Sequence, residues 1–399
     1  MKRPRKVLIG SSLVALLAAL GIAQQQLEKI ASAQTKSAVQ APKFEVDPMW
    51  PKPMPNHWLL GNTIGVGVDS RDHVFIIHRG ATLEAKEVYA QENPPASDCC
   101  KAAPPVLEFD AEGNYVNAWG GPGQGFEWPG SNHGITPDSK GNLWIGGNGP
   151  DDGHILVFTT GGKFVKQFGF AYASAGSNDM WAFNKVAKIS LDEGANEAYV
   201  ADGYGNHRVA VIDMATGKIK RYWGAYGNKP DDTNLGRYNP NATEPAKQFR
   251  NPVHCAVPSN DGLVYVCDRP NDRIQVFTKD GKFQKEVFVE KNTLGDGSVW
   301  DIAFSKDAQQ KYFYLADGAN EKIHVFDRAS LTELTSFGDG GRQPGQFYAV
   351  HSIATDSKGN IYVTETYRGQ RLQKFVFKGL APVSKKDQGT VWPTRTSTH

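Results

Sequence analysis

The sequence predicts an all-β protein, a six-bladed β-propeller whose ring is closed by an N-terminal strand. Three observations carry this prediction. A short apolar strand, a turn rich in Asp, Gly and Asn, and a β-branched or aromatic strand recur in that order six times along the chain. Each copy is followed by a second hairpin of the same kind, which makes four strands per repeat. No segment of useful length carries helical periodicity. One four-stranded unit cannot bury both of its faces, so the copies must stack side by side around a ring.

Taken in order, residues 1–33 read as a signal peptide or N-terminal anchor. "MKRPRK" is a basic n-region, "VLIGSSLVALLAALGIA" is an apolar run, and small residues follow that allow cleavage after Ala23 or Ala33. The apolar run is only slightly short of a membrane span, so an uncleaved anchor is the alternative and would be the chain's sole membrane contact. Either way the folded body is expected to be exported, periplasmic or extracellular. Residues 34–43 read as a polar linker. The propeller is expected over 44–380, opening with "FEVDPMWPKPMPNHWLLG", which precedes the first inner strand. The six inner hairpins follow as "VDSRDHVFII", "TPDSKGNLWIGG", "SLDEGANEAYVADG", "VPSNDGLVYVCDR", "FSKDAQQKYFYLADG" and "TDSKGNIYVTET". The sixth repeat lacks an outer strand, so the segment from Phe44 is expected to pair there and close the ring. Residues 381–399 form a Pro/Ser/Lys/Thr-rich surface tail, with Trp392 as its expected anchor.

The chain of 399 residues is 40% hydrophobic with a formal net charge of +2, which describes a globular protein, and a monomer is the expected state. Acids and bases are interspersed, and no basic stripe with interleaved aromatics is present. Nucleic acid is therefore excluded as an expected partner.

Aligning the inner strands by their turns brings three histidines into register. His133 lies five residues before Asp138 in "HGITPD", and His351 lies five before Asp356 in "HSIATD". His254 holds the matching position in "HCAVPSND", whose turn has one extra residue. A single histidine at a strand start is more often a hydrogen-bonded or surface group than a ligand. With 10 histidines in the chain, three hits among six equivalent positions are improbable by chance. The three belong to blades two, four and six, so a pseudo-three-fold axis points them together at the central channel. Three neutral imidazoles with a fourth position open suit a catalytic zinc; iron, copper and nickel also accept imidazole.

In an antiparallel hairpin, the start of one strand and the end of the next share one end of the blade. Arg79, Tyr204 and Arg269, and in the last blade Glu365, Tyr367 and Arg368, are therefore expected at the histidine end of the channel. A tyrosine and two arginines over an open metal position can bind a carboxylate and move a proton. Cys255 and Cys267 flank the Asp261-Gly262 turn symmetrically, which fits either a cross-strand disulfide or two buried thiols. Cys99 and Cys100 are adjacent in a long excursion from blade one. They read as an exposed structural pair, with a strained vicinal disulfide, other pairings or metal binding as alternatives.

With those residues in place, the chain resembles the NHL-type propellers of the peptidyl-α-hydroxyglycine α-amidating lyase family. The resemblance runs from about Trp50 to Phe377 and is carried by "IIHRG", "NHGITPDSKGNLW", "VADGYGNHRV", "PVHCAV", "CDRPNDRIQVF" and "VHSIATDSKGNIYV". It implies zinc on His133, His254 and His351, a catalytic Tyr204, and active-site arginines at Arg79 and Arg269. The implied substrate is a small molecule or peptide with a carboxylate, cleaved at a C–N bond to an amide and glyoxylate. An ordinary phenol keeps its proton at neutral pH, so a tyrosine base would need positive charge beside it. The chain departs from the family at three places. Ser352 stands where an acidic residue after the third histidine helps to hold calcium, which puts calcium in doubt. Ala349 replaces a methionine, and Gly205 replaces a disulfide cysteine. Two other readings compete: an exported propeller that binds a protein or glycan without chemistry, and a metal hydrolase acting on a lactone or ester.

Overall fold

The computed structural model describes residues 24–25, 39–172 and 174–393. The leader's cleavage sites, Ala23 and Ala33, lie outside the described residues. Six four-stranded antiparallel sheets follow one another along the chain, and their inner strands are Asn62–Val68, Asn132–Pro137, Val186–Asp192, Val253–Pro258, Asp301–Phe304 and Val350–Thr355. Each inner strand contacts the inner strands of both neighbouring blades, which closes a six-fold ring around a narrow channel. The protein is a six-bladed β-propeller.

The turns are local devices. In blade two, Asp138 Oδ1 accepts the backbone N–H groups of Lys140 and Asn142 at 2.9 and 2.8 Å, and Trp144 Nε1 donates to Oδ2 at 3.1 Å. Asp356 does the same in blade six, accepting from the N–H groups of Lys358 and Asn360 and from the Tyr362 hydroxyl. An aspartate that satisfies the donors of its own turn is what makes "D-S-K-G-N" a hairpin signal.

Packing then joins the hairpins. The buried apolar side chains fall into six clusters, and each bridges two adjacent blades. Blades one and two meet through Phe75, Ile77, Ile135 and Leu143, for example, and blades three and four through Tyr199, Val209, Val264 and Phe277. At ~1.5–3 kcal/mol for each large side chain removed from water, these interfaces rather than the single blades hold the ring together. Close approach at the centre requires missing side chains. A Cβ on Gly65 would lie 2.7 Å from the His133 carbonyl oxygen, and one on Gly134 would lie 2.6 Å from that of Ala187.

The ring closes as expected. Strand Gln40–Asp47 pairs antiparallel with Arg371–Pro382, completing the last blade from the N-terminal side. Phe44 is inserted between blades five and six, edge-on to Tyr314 at 5.2 Å and against Phe337 at 5.6 Å. The pairing begins at Gln40, inside the segment read as linker, and the last strand runs two residues past 380. The tail does not anchor through Trp392, which is 50% exposed. Its backbone does that work: Ser336 donates to the Lys386 carbonyl at 2.7 Å, Val46 donates to that of Val391 at 2.8 Å, and the Val383 and Val391 side chains pack on the cluster around Phe44.

Cys255 and Cys267 are direct register partners and form a disulfide, with Cα atoms 4.8 Å apart. Cys99 and Cys100 bond to each other in the excursion from blade one. The inner pair closes a loop of 12 residues in sequence. Replacing both Cys255 and Cys267 by alanine is expected to cost about 3 kcal/mol, largely by releasing the unfolded chain. Guanidinium unfolding measures this, and a midpoint equal to that of the unreduced parent would show that the bond contributes nothing.

Candidate metal centre and active site

The register alignment becomes geometry at the channel mouth. His133, His254 and His351 are 2%, 3% and 4% exposed, and their ring centroids lie 5.1, 4.9 and 4.8 Å apart. Their ligating nitrogens all fall within 4.8 Å of one another.

Each imidazole is oriented by the next blade around the ring. His133 Nδ1 donates to the Ala187 carbonyl at 2.7 Å, His351 Nδ1 donates to that of Ile64 at 2.7 Å, and His254 Nδ1 donates to that of Trp300. Ile64, Ala187 and Trp300 hold, in blades one, three and five, the register position that histidine holds in the even blades. Odd blades supply acceptors and even blades supply ligands. A carbonyl that takes the Nδ1 proton leaves the Nε2 lone pair facing the axis, the usual support for a metal-bound histidine. Burial, then the neighbouring positive groups, pushes His351 down to about 3 and holds His133 and His254 well below the ordinary imidazole value. All three are neutral at physiological pH. Three converging neutral donors fit a divalent metal ion.

Tyr204 caps this triad. Its hydroxyl lies 3.0 Å from His133 Nε2 and 3.2 Å from His254 Nε2, and Arg269 Nη1 donates to it at 3.3 Å. Arg269 is stacked over Trp300, 4.4 Å from the ring centroid, and its Nε is buried without a partner. Arg79 stands further off. It donates to the Asn132 carbonyl and to Asn148 Oδ1 at 3.0 and 2.7 Å and makes no hydrogen bond to Tyr204.

The other rim residues separate. Tyr367 is at the mouth, its hydroxyl donating to Asp296 Oδ2 at 2.7 Å. Glu365 is not at the site: it is fully buried and paired with Arg371 at 2.6 Å. Arg368 is also elsewhere, paired with Glu84 at 3.0 Å.

One layer below the histidines, the channel holds an ion pair. Lys188 Nζ lies 2.6 and 2.8 Å from the two Asp301 oxygens, and the Ser352 hydroxyl donates to Asp301 Oδ2 at 2.6 Å. The ammonium stands beside Ser352, where the resemblance would put a calcium ligand. These residues do not fit a second cation, because the one carboxylate present is already neutralised. Lys188→Ala is expected to destabilise the fold by about 3–5 kcal/mol, since Asp301 would be left buried and unpaired. Thermal or denaturant unfolding measures this; an unchanged midpoint would show that the pair contributes nothing.

A second group of possible ligands, Glu290, His324 and Glu333, lies between the blades. Burial opposes charge on His324, but hydrogen bonds to Asp317 and Glu333 override it and push the imidazole up to about 9. The imidazolium is thus the cation these carboxylates already hold.

No motif in the sequence marks Trp300, Asp296, Lys188 or Asp301. The register alignment contains a signal for Trp300, which in "VWDIAF" stands where "VHCAV" has His254.

No protein-family model matches the sequence. The chain is similar to NHL-repeat proteins. It is 25% identical over 356 residues to NHL repeat-containing protein 3 of Mus musculus, spanning 85% of each chain. It is 26% identical over 350 residues to the Homo sapiens protein of that name, spanning 84% of each. It is also 26% identical over 321 residues to peptidyl-glycine alpha-amidating monooxygenase B of Xenopus laevis, covering 77% of this chain but 33% of that protein. Among solved structures, a structural-genomics protein of unknown function from Bacteroides thetaiotaomicron superposes with a TM-score of 0.51 at 14% identity, over 85% of this chain and 77% of that one. That likeness concerns the fold alone.

Proposed function

We propose that the protein is an exported, monomeric, zinc-dependent lyase that cleaves an α-hydroxyglycine-type substrate to an amide and glyoxylate. The observation that carries this reading is the placement of the Tyr204 hydroxyl within hydrogen-bond reach of two of the three converging histidines and of Arg269. The similarity to peptidyl-glycine alpha-amidating monooxygenase B supports it. His133, His254 and His351 would hold the zinc, which when bound supplies Lewis acidity toward the substrate's carbinol oxygen. Tyr204 as phenolate takes the carbinol proton. The pair left on oxygen by the broken O–H bond becomes the second bond of the aldehyde, the C–N pair leaves with nitrogen, and the proton on Tyr204 is handed to that nitrogen, so the amide departs neutral. Arg269 stabilises the phenolate and holds the substrate carboxylate. Arg79 adds positive charge from the opposite wall.

The test is glyoxylate release from α-hydroxyhippurate by protein of measured metal content. Release that follows zinc occupancy is the expected result, and metal-loaded protein that releases none would overturn the reading. The similarity to NHL repeat-containing protein 3 over most of both chains favours one competitor, a propeller whose channel face binds a protein or glycan. Purified protein without bound metal would support that competitor.

A further inference from the structure

A cleft of about 800 Å³ opens beside the centre, with Arg269 on its inner wall. Its outer wall comes from the long connection between blades three and four, including Asp232, Arg237 and Arg250. The carboxylates in this cleft are already engaged. Asp232 accepts from the Ser177 N–H at 3.0 Å and from the Ser177 hydroxyl, while Asp296 accepts from Tyr367 and lies 3.5 Å from Arg269 Nη2.

The cations outnumber these carboxylates. Arg237 is exposed and has neither an ion pair nor a hydrogen bond among the described residues. Arg250 is held by neutral acceptors, Asn271 Oδ1 at 3.0 Å and the Gly236 carbonyl. Asp268, the acid whose charge Arg250 feels, is itself paired with Arg273 at 2.7 Å. Three guanidinium groups, Arg237, Arg250 and Arg269, thus stand against two carboxylates, Asp232 and Asp296, so the cleft is net positive along a path that starts at Arg269, and it is large enough for an acyl group several bonds long.

We propose that the substrate carries a second carboxylate on its acyl side, and that the cleft selects it through Arg237 and Arg250. This rests on the reading in which Arg269 holds the glycine-side carboxylate. A dicarboxylic acylglycine would then span from Arg269 to Arg237, and a fatty or aromatic acylglycine would leave the outer cations in water.

Glutarylglycine and pentanoylglycine, unreactive analogues of matched chain length with and without the second carboxylate, test this by titration calorimetry on the intact protein at low salt. Glutarylglycine is expected to bind about tenfold more tightly. Arg237→Ala should shrink that preference, and Arg237→Glu should abolish or reverse it. Equal affinities, a preference indifferent to Arg237→Glu, or no binding of either compound would each overturn the proposal. Glyoxylate release from α-hydroxyhippurate is scored separately. A preserved binding preference without release overturns the lyase reading, and release without the preference overturns the cleft proposal alone.

Discussion

His254→Ala is expected to lose the bound metal, from about one ion per chain to nearly none, and all turnover with it. The reason is the division of labour around the ring. Each imidazole is held by a single carbonyl of the neighbouring blade, and no described carboxylate or thiolate stands among the three to take the place of a missing ligand. Asp301 in the layer below is already paired with Lys188, so it offers no replacement ligand and a site with two ligands would hold a cation poorly. The fold should survive. The substitution removes one hydrogen bond to the Trp300 carbonyl, a cost of about 1–3 kcal/mol for the acceptor left behind. Elemental analysis with a thermal melt separates the outcomes, and full occupancy in a folded variant would refute the triad. His154→Ala serves as the control, because that buried histidine spends its Nε2 on the Glu127 carbonyl and should keep the metal.

The parts of this molecule that could be read from sequence are those written locally. Asp138 and Asp356 tie their own turns, so the six hairpins were visible as repeated words, and repeat register was enough to group His133, His254 and His351. What could not be read arises between blades. Lys188 and Asp301 belong to blades three and five and meet only across the channel. Trp300 matters through a carbonyl and a ring face, neither of which its residue type announces. The rim residues of blade six show the limit of an argument from strand ends. Successive side chains there leave in different directions, so Glu365 turns inward to Arg371, Tyr367 reaches the mouth, and Arg368 turns outward to Glu84. The cleft wall lies in a long irregular connection, where no periodicity exists to place Arg237 or Arg250.

Tyr204→Phe is expected to keep the metal and lose turnover by about 10²–10⁴-fold, the range of a positioned acid–base group. The ring can stay where it is, since its packing against His133, with centroids 5.0 Å apart, does not involve the hydroxyl. What leaves is the one oxygen that touches two histidines and Arg269 together. If that oxygen moves the proton, the loss falls on kcat while KM for α-hydroxyhippurate changes little, because Arg269 still holds the carboxylate. If the hydroxyl instead serves mainly to hold the histidines, the variant would lose metal in parallel with activity. Equal loss of both would make Tyr204 a positioning residue, and undiminished kcat would remove it from the chemistry altogether. The same pair of measurements on Arg269→Lys completes the assignment: the charge remains but the planar contact to carboxylate is lost, so KM should rise more than kcat falls. A tyrosine variant that loses kcat beside an arginine variant that loses KM would divide proton transfer from substrate binding between two side chains whose atoms lie 3.3 Å apart.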